Sequence, residues 1–247
     1  MILNVAAYHF VHIDDPHALA ARLQEQAEAG ALRGTVLVAE EGINLFLAGD
    51  ETAVRAFLDC LRTDARFSAI AIKESLSRAQ PFARLKAKVK PEIISFRRDG
   101  ASPRDGRAPM VTPETLVRWI EQGQDDSGRR LVLLDTRNRE EVGYGTFADA
   151  LTLPIDNFTD LPEAIAPHRE KLRDATVVSF CTGGIRCEKA ALWLRNDGMD
   201  NLWQLDGGIL GYFAHVGGAG YDGRCFVFDE RVALDPQLAP LVDAVTS

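Results

Sequence analysis

The chain has 247 residues, room for one large domain or two of ordinary size, and its 46% hydrophobic and 26% charged content is that of a soluble globular protein. No apolar run approaches membrane-spanning length, the start MILNVAAYHFVHIDD has no basic leader or cleavage site, and four scattered cysteines exclude a disulfide framework, so a reduced, cytoplasmic protein is expected. The net charge of −8 falls on one side: residues 1–100 carry 13 basic and 13 acidic groups and residues 101–247 carry 15 and 23, which leaves local anion-binding patches open.

Residues 2–13 (ILNVAAYHFVHI) read as a strand, and Asp14-Asp15-Pro16 as a helix start with a capping acid and an early Pro. The helix runs to about Gly30, with Leu19, Leu23 and Ala27 on one face. Thr35–Ala39 and Ile43–Ala48 flank the turn Glu40-Glu41-Gly42 and predict a hairpin. Asp50 caps a second helix to about Arg62, with Val54, Phe57, Leu58 and Leu61 inward and Cys60 expected beside them in the core. Ala69–Lys73 is a fourth expected strand, and the order β-α-β-β-α-β is the ferredoxin-like split arrangement. His9 and His12 are three apart on one strand, His17 and His168 begin helices and His215 ends one, so no metal-ligand cluster is expected.

In residues 82–90, FARLKAKVK, Arg84, Lys86, Lys88 and Lys90 alternate with Leu85, Ala87 and Val89. Period two puts the apolar side chains on one face of a strand and four cations in a row on the other. The row reads either as a polyanion footprint or as a solvated edge strand whose lysines discourage aggregation. Residues 99–109, DGASPRDGRAP, are a polar linker rich in Gly and Pro.

Beyond the linker, apolar strands alternate with helices, the mark of an α/β domain with a parallel sheet. Thr112-Pro113 starts a helix to about Gln122, and Leu131–Leu134 is a buried strand leading into Asp135-Thr136-Arg137. Residues 145–154 lead through a short strand, residues 161–173 are expected as one helix, and 175–180 (ATVVSF) as a strand buried on both faces. Glu188–Arg195 is helical, Asn201–Leu205 a short strand, and Asp206-Gly207-Gly208 turns into a helix through Phe213. Residues 222–247 read as a tail, with Phe226 and Phe228 in a strand-like FVFD and little pattern after Ala233.

Cys181 directly follows the central strand and precedes Thr182, Gly183, Gly184, Ile185, Arg186 and Cys187. A strand, a Gly-containing turn and a helix start make backbone N–H groups converge, and a thiol in such a cup ionises readily. Ligands of parallel sheets sit beyond the carboxyl ends of strands, where Asp135 and Cys181 both fall. Arg186 serves either as a donor to negative charge in the cup or as a brace for the loop. The cup suits a persulfide, a phosphate or another oxyanion, although a C-x₅-R phosphatase loop has five residues between Cys and Arg and this one has four.

The segments LLDTRNREEVGYGTF, SFCTGGIRCEKA and LDGGILGYF together resemble a rhodanese domain with Cys181 at its active-site position. More narrowly, CTGGIRCEKA, with GTVLVAEEGIN at 34–44, RLKAKVKPEI at 84–93 and GRCFVFDER at 223–231, resembles the rhodanese-domain tRNA uridine hydroxylase family over about residues 1–233. The resemblance implies a ferredoxin-like α+β domain with the basic strand (1–98), a linker (99–111), a rhodanese-like catalytic α/β domain (112–216) and a C-terminal tail (217–247). It implies an oxidoreductase that hydroxylates the wobble uridine of tRNA at C5, with molecular oxygen as co-substrate. No flavin, haem or iron motif is evident and the reductant is unidentified. Cys181, Arg186 and Cys187 are the implied catalytic residues, within an active-site loop of Thr182, Gly183, Gly184 and Ile185 with Asp135 and Arg137. Arg84, Lys86, Lys88 and Lys90 become the implied contact to tRNA phosphates, with the anticodon loop as the part recognised. Cys187 either resolves an oxidised Cys181 or is a helix-start residue without a redox role. A sulfurtransferase carrying a persulfide on Cys181 and a non-catalytic binding module are the alternatives. Longer members of the family continue into a Cys-rich extension, whereas Cys225 is the last cysteine here.

Overall fold

The computed structural model describes residues 1–104 and 106–243. Asp105 of the expected linker and residues 244–247 of the expected tail lie outside them. The chain divides into two units: one holds residues 1–95 with 228–232 and 239–243, the other residues 96–227 with 233–238.

The first unit contains β1 (Ile2–Phe10), α1 (Pro16–Ala29), β2 (Arg33–Ala39), β3 (Gly42–Gly49), α2 (Glu51–Arg62), β4 (Ile72–Ser77) and β5 (Leu85–Val89). Its sheet runs β4-β1-β3-β2-β5. The first four strands pair antiparallel, and β5 pairs parallel to β2. This is the ferredoxin-like fold with one strand added at an edge. The helices start where their caps dictate: Asp15 accepts the Ala18 N–H at 2.9 Å and Asp50 the Thr52 N–H at 2.9 Å. Leu19, Leu23 and Ala27 of α1 and Val54, Phe57, Leu58 and Leu61 of α2 are buried in one cluster with the sheet's inner face.

The first unit departs from the sequence expectations at three places. β1 ends at Phe10, so His12 lies beyond the strand. The fourth strand is Ile72–Ser77 rather than 69–73, because Phe67 and Ile70 drop into the core around a 3₁₀ turn at Ala65–Phe67. The strand that forms is a polar edge strand, with register held by buried Asn4, whose amide donates to Ser77 Oγ at 3.0 Å and to the Ser75 carbonyl at 3.2 Å. Cys60 is exposed rather than in the core, and the Gln26 amide donates to its sulfur at 3.1 Å.

The second unit contains β6 (Met110–Val111), α3 (Pro113–Gln122), β7 (Leu131–Asp135), α4 (Arg139–Val142), β8 (Gly145–Phe147), β9 (Leu151–Thr152), α5 (Leu161–Ile165), α6 (Arg169–Leu172), β10 (Thr176–Phe180), α7 (Ile185–Asn196), β11 (Leu202–Leu205), α8 (Gly208–Val216), β12 (Tyr221–Gly223), β13 (Cys225–Phe226) and β14 (Ala233–Leu234). Its main sheet, β6-β11-β10-β7-β9, is parallel throughout. All five residues of β10 are buried, as a strand covered on both faces requires.

Phe96 belongs to this unit, stacked on Phe158 at 4.6 Å between centroids. The last two residues of the expected linker are strand β6. The single helix expected over 161–173 is α5 and α6 with a 3₁₀ turn at Ala166–His168 between them, since Pro167 has no N–H to continue the ladder. The expected tail supplies β12, paired antiparallel with β8, and the β13–β14 pair, of which β13 overlaps the start of the strand-like FVFD. No helix among the described residues is long and apolar enough to cross a membrane.

Candidate active site

The parallel register sets Phe180 of β10 opposite Asp135 of β7, so the two strands end side by side. Cys181 follows Phe180, and the chain turns through Thr182, Gly183 and Gly184 into α7. Gly184 takes φ +97°, a left-handed conformation suited to glycine, and its N–H donates to Cys181 Sγ at 3.2 Å. The helix starts at Ile185, three residues before the expected Glu188, so Arg186 and Cys187 lie in its first turn. The loop is tied from the other side by α8: the Ile209 N–H donates to the Cys181 carbonyl at 2.9 Å and the Leu210 N–H to the Thr182 carbonyl at 3.0 Å. This approach needs a glycine at 208, where φ is +63° and a Cβ would stand 2.6 Å from the Gly184 nitrogen and 2.8 Å from the Gly183 carbonyl carbon.

The electrostatics of this cup separate its two thiols. Cys181 and Cys187 are both fully buried. Burial pushes the Cys181 thiol up, but a hydrogen bond with Cys187, the Arg186 charge and the N–H groups of residues 186 and 187 outweigh it and leave it below the usual thiol range. Cys187 moves the other way: burial and its bond to the Cys181 sulfur hold it well above that range. The pair is therefore a thiolate at 181 beside a neutral thiol at 187. Thr136 Oγ1 lies 3.6 Å from Cys187 Sγ and donates to the Phe180 carbonyl at 3.0 Å.

Arg186 combines both expected roles, bracing the loop through Glu141 while its charge favours the Cys181 thiolate. Its guanidinium donates through Nη1 and Nη2 to the two oxygens of Glu141, at 2.6 Å each, with only 7% and 1% of the two side chains exposed. Glu141 also accepts the Asn138 N–H at 3.1 Å and the Thr182 hydroxyl at 3.2 Å. Burial pushes its carboxyl up, and the Arg186 contacts more than reverse this and hold it below the usual carboxylate range. Asp135 and Arg137 form a second pair with neither side chain exposed: Nε donates to Oδ1 at 2.9 Å and Nη2 to Oδ2 at 2.7 Å. Arg137 also donates to the Gly145 carbonyl at 2.6 Å, and the Thr146 hydroxyl donates to Asp135 at 2.8 Å. Asp135 and Arg137 thus tie the end of β7 to β8 and to Tyr221.

Thr182 and Gly183 are half-buried in the loop, and Ile185 is buried at the first position of α7. Glu141 was not singled out from the sequence, although Asn138-Arg139-Glu140-Glu141 has the spacing of a helix start with an acid three residues on. Cys225, fully buried with its thiol pushed up to about 12 by burial, is a further group near Thr182 that the sequence left unassigned.

The basic row lies on the edge strand of the first unit. Leu85, Ala87 and Val89 pack on the core, Arg84, Lys88 and Lys90 are exposed and Lys86 is half-buried. Arg84 and Lys90 flank β5 and extend its ladder, the Arg84 carbonyl accepting the Gly34 N–H at 3.1 Å and the Lys90 N–H donating to the Val38 carbonyl at 2.9 Å. None of the four cations has an acidic partner among the described residues. Among those residues no group of three or more His, Cys, Asp and Glu could hold a metal ion.

Residues 2–93 match the UPF0176 acylphosphatase like domain, and residues 112–215 match the Rhodanese-like domain. The chain is similar to the tRNA uridine(34) hydroxylase of Xanthomonas euvesicatoria pv. vesicatoria (strain 85-10), with 70% identity over 99% of this chain and 98% of that protein. It is 62% identical to the tRNA uridine(34) hydroxylase of Xylella fastidiosa (strain 9a5c), over 98% of this chain and 95% of that protein. With the two domains matched in order and near-complete coverage at this identity, the chain belongs to the tRNA uridine(34) hydroxylase family.

Proposed function

We propose that this chain is an oxidoreductase that hydroxylates uridine 34 of tRNA at C5, in the cytoplasm, with molecular oxygen as co-substrate. The observation that carries the reading is the 70% identity, over 99% of the chain, to a relative named for that activity. The thiolate cup supports it with suitable chemistry.

In this reading Cys181 is the catalytic nucleophile. Its thiolate adds to uracil C6, the C5=C6 electrons move toward C5 and O4, and C5 becomes the carbon that takes oxygen. One oxygen atom enters at C5 and the other leaves as water, with two electrons and two protons from an external reductant. Loss of the C5 proton and departure of the thiolate restore the ring. The Gly184 N–H and the Cys187 thiol steady the charge on sulfur before addition and after departure. Cys181 has no exposed surface, so the base enters as neighbouring groups move aside.

The basic row is the proposed phosphate contact, since four cations without acidic partners on one edge strand match a sugar–phosphate backbone. The part recognised is the anticodon loop, whose bases leave their stack at little cost.

Nucleoside mass analysis tests the reading. A strain lacking this chain should lose 5-hydroxyuridine and its derivatives from tRNA; wild-type chain should restore them and C181A should not. Unchanged 5-hydroxyuridine in the deletion strain, or full restoration by C181A, would overturn it. A change in thiolated nucleosides alone would point to sulfur transfer instead.

A further inference from the structure

Beside the cysteine loop stands an aromatic pair that none of the chemistry above uses. Tyr144 follows α4, and 37% of its surface is exposed although its backbone is pinned on both sides. Its N–H donates to the Glu141 carbonyl at 3.2 Å, and its carbonyl accepts the Arg224 N–H at 2.8 Å. The next residue, Gly145, has φ +153° and leaves no room for a Cβ against Asp222 and Arg224. The Tyr144 ring leans on half-buried Phe226, with centroids 5.3 Å apart and planes at 44°. The Tyr144 hydroxyl has no hydrogen-bond partner among the described residues.

The pair is continuous with the cup. Thr182, the residue after the thiolate, reaches the Phe226 carbonyl at 3.5 Å and Glu141 at 3.2 Å. Glu141 in turn lies three residues before Tyr144, so one side chain of the cysteine loop touches both supports of the aromatic pair.

We infer that Tyr144, backed by Phe226, is a stacking face for an unstacked nucleobase of the RNA substrate beside the loop that carries Cys181. A ring on a pinned backbone loses little freedom on binding, and any base offers a π-face to it. The exposed ring supplies affinity for the base, as distinct from the phosphate contacts of the basic row. The inference rests on the proposed tRNA reaction and adds to it the residue that receives the base.

The test uses the full chain and a labelled anticodon stem–loop RNA with either uridine or an abasic residue at position 34. Fluorescence anisotropy should show the wild-type chain binding the uridine form about 5- to 150-fold more tightly than the abasic form. Y144L, which keeps an apolar side chain without the π-face, should lose that preference, while Y144F and Y144W keep it. The salt dependence of binding should be the same for all four proteins, because no phosphate contact changes. A Y144L chain that keeps the wild-type preference, or a wild-type chain without one, overturns the inference. If wild-type chain restores 5-hydroxyuridine in the deletion strain while Y144L keeps the preference, only the stacking face falls. If wild-type chain restores none, the proposed reaction falls and the stacking face with it.

Discussion

Truncating Glu141 to alanine isolates the brace of the cysteine loop. The carboxylate holds both terminal nitrogens of Arg186 at 2.6 Å, with 1% and 7% of the two side chains exposed. Removing it leaves a guanidinium buried without its counter-charge, a change that costs about 3–5 kcal/mol. In a chain of 247 residues about 1 kcal/mol shifts Tm by about 2–4 °C, so E141A should melt about 6–20 °C below the wild type in calorimetry at neutral pH. The double variant E141L/R186M removes both charges and fills the space, and it should recover most of the loss, because the penalty belongs to the orphaned charge rather than to the missing pair. The pH dependence has a fixed sign. The Glu141 carboxyl lies below the usual range when folded, so its contribution is complete above the unfolded value and fades as pH falls through the folded one. The gap between E141A and wild type should therefore narrow in acid. A shift under about 2 °C at neutral pH, or a double variant no more stable than E141A, would refute the assignment of this pair as the brace.

Three other outcomes follow from the same geometry. G208A places a Cβ 2.6 Å from the Gly184 nitrogen at a φ of +63°, so the variant should stay folded by circular dichroism yet lose about ten-fold or more in hydroxylation through misplacement of the thiolate loop; unchanged activity would show that α8 does not set the loop. Replacing Lys86 and Lys88 with Gln should weaken tRNA binding for every sequence alike and flatten the plot of log affinity against log salt by about 0.7–0.9 for each phosphate that is no longer neutralised, whereas an unchanged slope would leave the row a solvated edge. The acid limb of the kcat/KM profile should lie below the usual thiol range, because the reactive thiolate persists until pH falls through the lowered Cys181 value. C187A removes the S–H donor and should move that limb to higher pH, while a limb that stays in place would deny Cys187 that role.

What the sequence conveyed depended on how local each feature is. The strand end and turn at Cys181 were legible because a β-branched run followed by Gly183 and Gly184 defines both within about ten residues. The basic row was legible because its period of two spans the whole of β5. Edge strand β4 was misplaced because edges tolerate polar residues and the apolar run before it serves the core through a 3₁₀ turn instead. Strands β6, β13 and β14 have two residues each, too few to show any period. Glu141 was missed because its partner Arg186 lies 45 residues away and only the parallel register of β7 and β10 brings them together.

That pairing bears on the reactivity of the thiolate itself. A guanidinium seated directly on Cys181 would populate the thiolate and also hold its electron pair, and nucleophilicity falls as the thiol value is driven down. Here the two buried arginines of the site are each committed to a carboxylate, Arg137 to Asp135 and Arg186 to Glu141. The sulfur draws on several donors at once: the Gly184 N–H at 3.2 Å, the Cys187 thiol, the N–H groups of residues 186 and 187, and the Arg186 guanidinium that also holds Glu141. Together these donors favour ionisation, while the shortest contacts of the Arg186 guanidinium, 2.6 Å each, go to Glu141 rather than to the sulfur's electron pair. A C-x₅-R phosphatase loop puts its arginine one residue further along, where it serves the anion. The four-residue spacing in this chain goes with an arginine held at 2.6 Å by Glu141 of the loop's own scaffold.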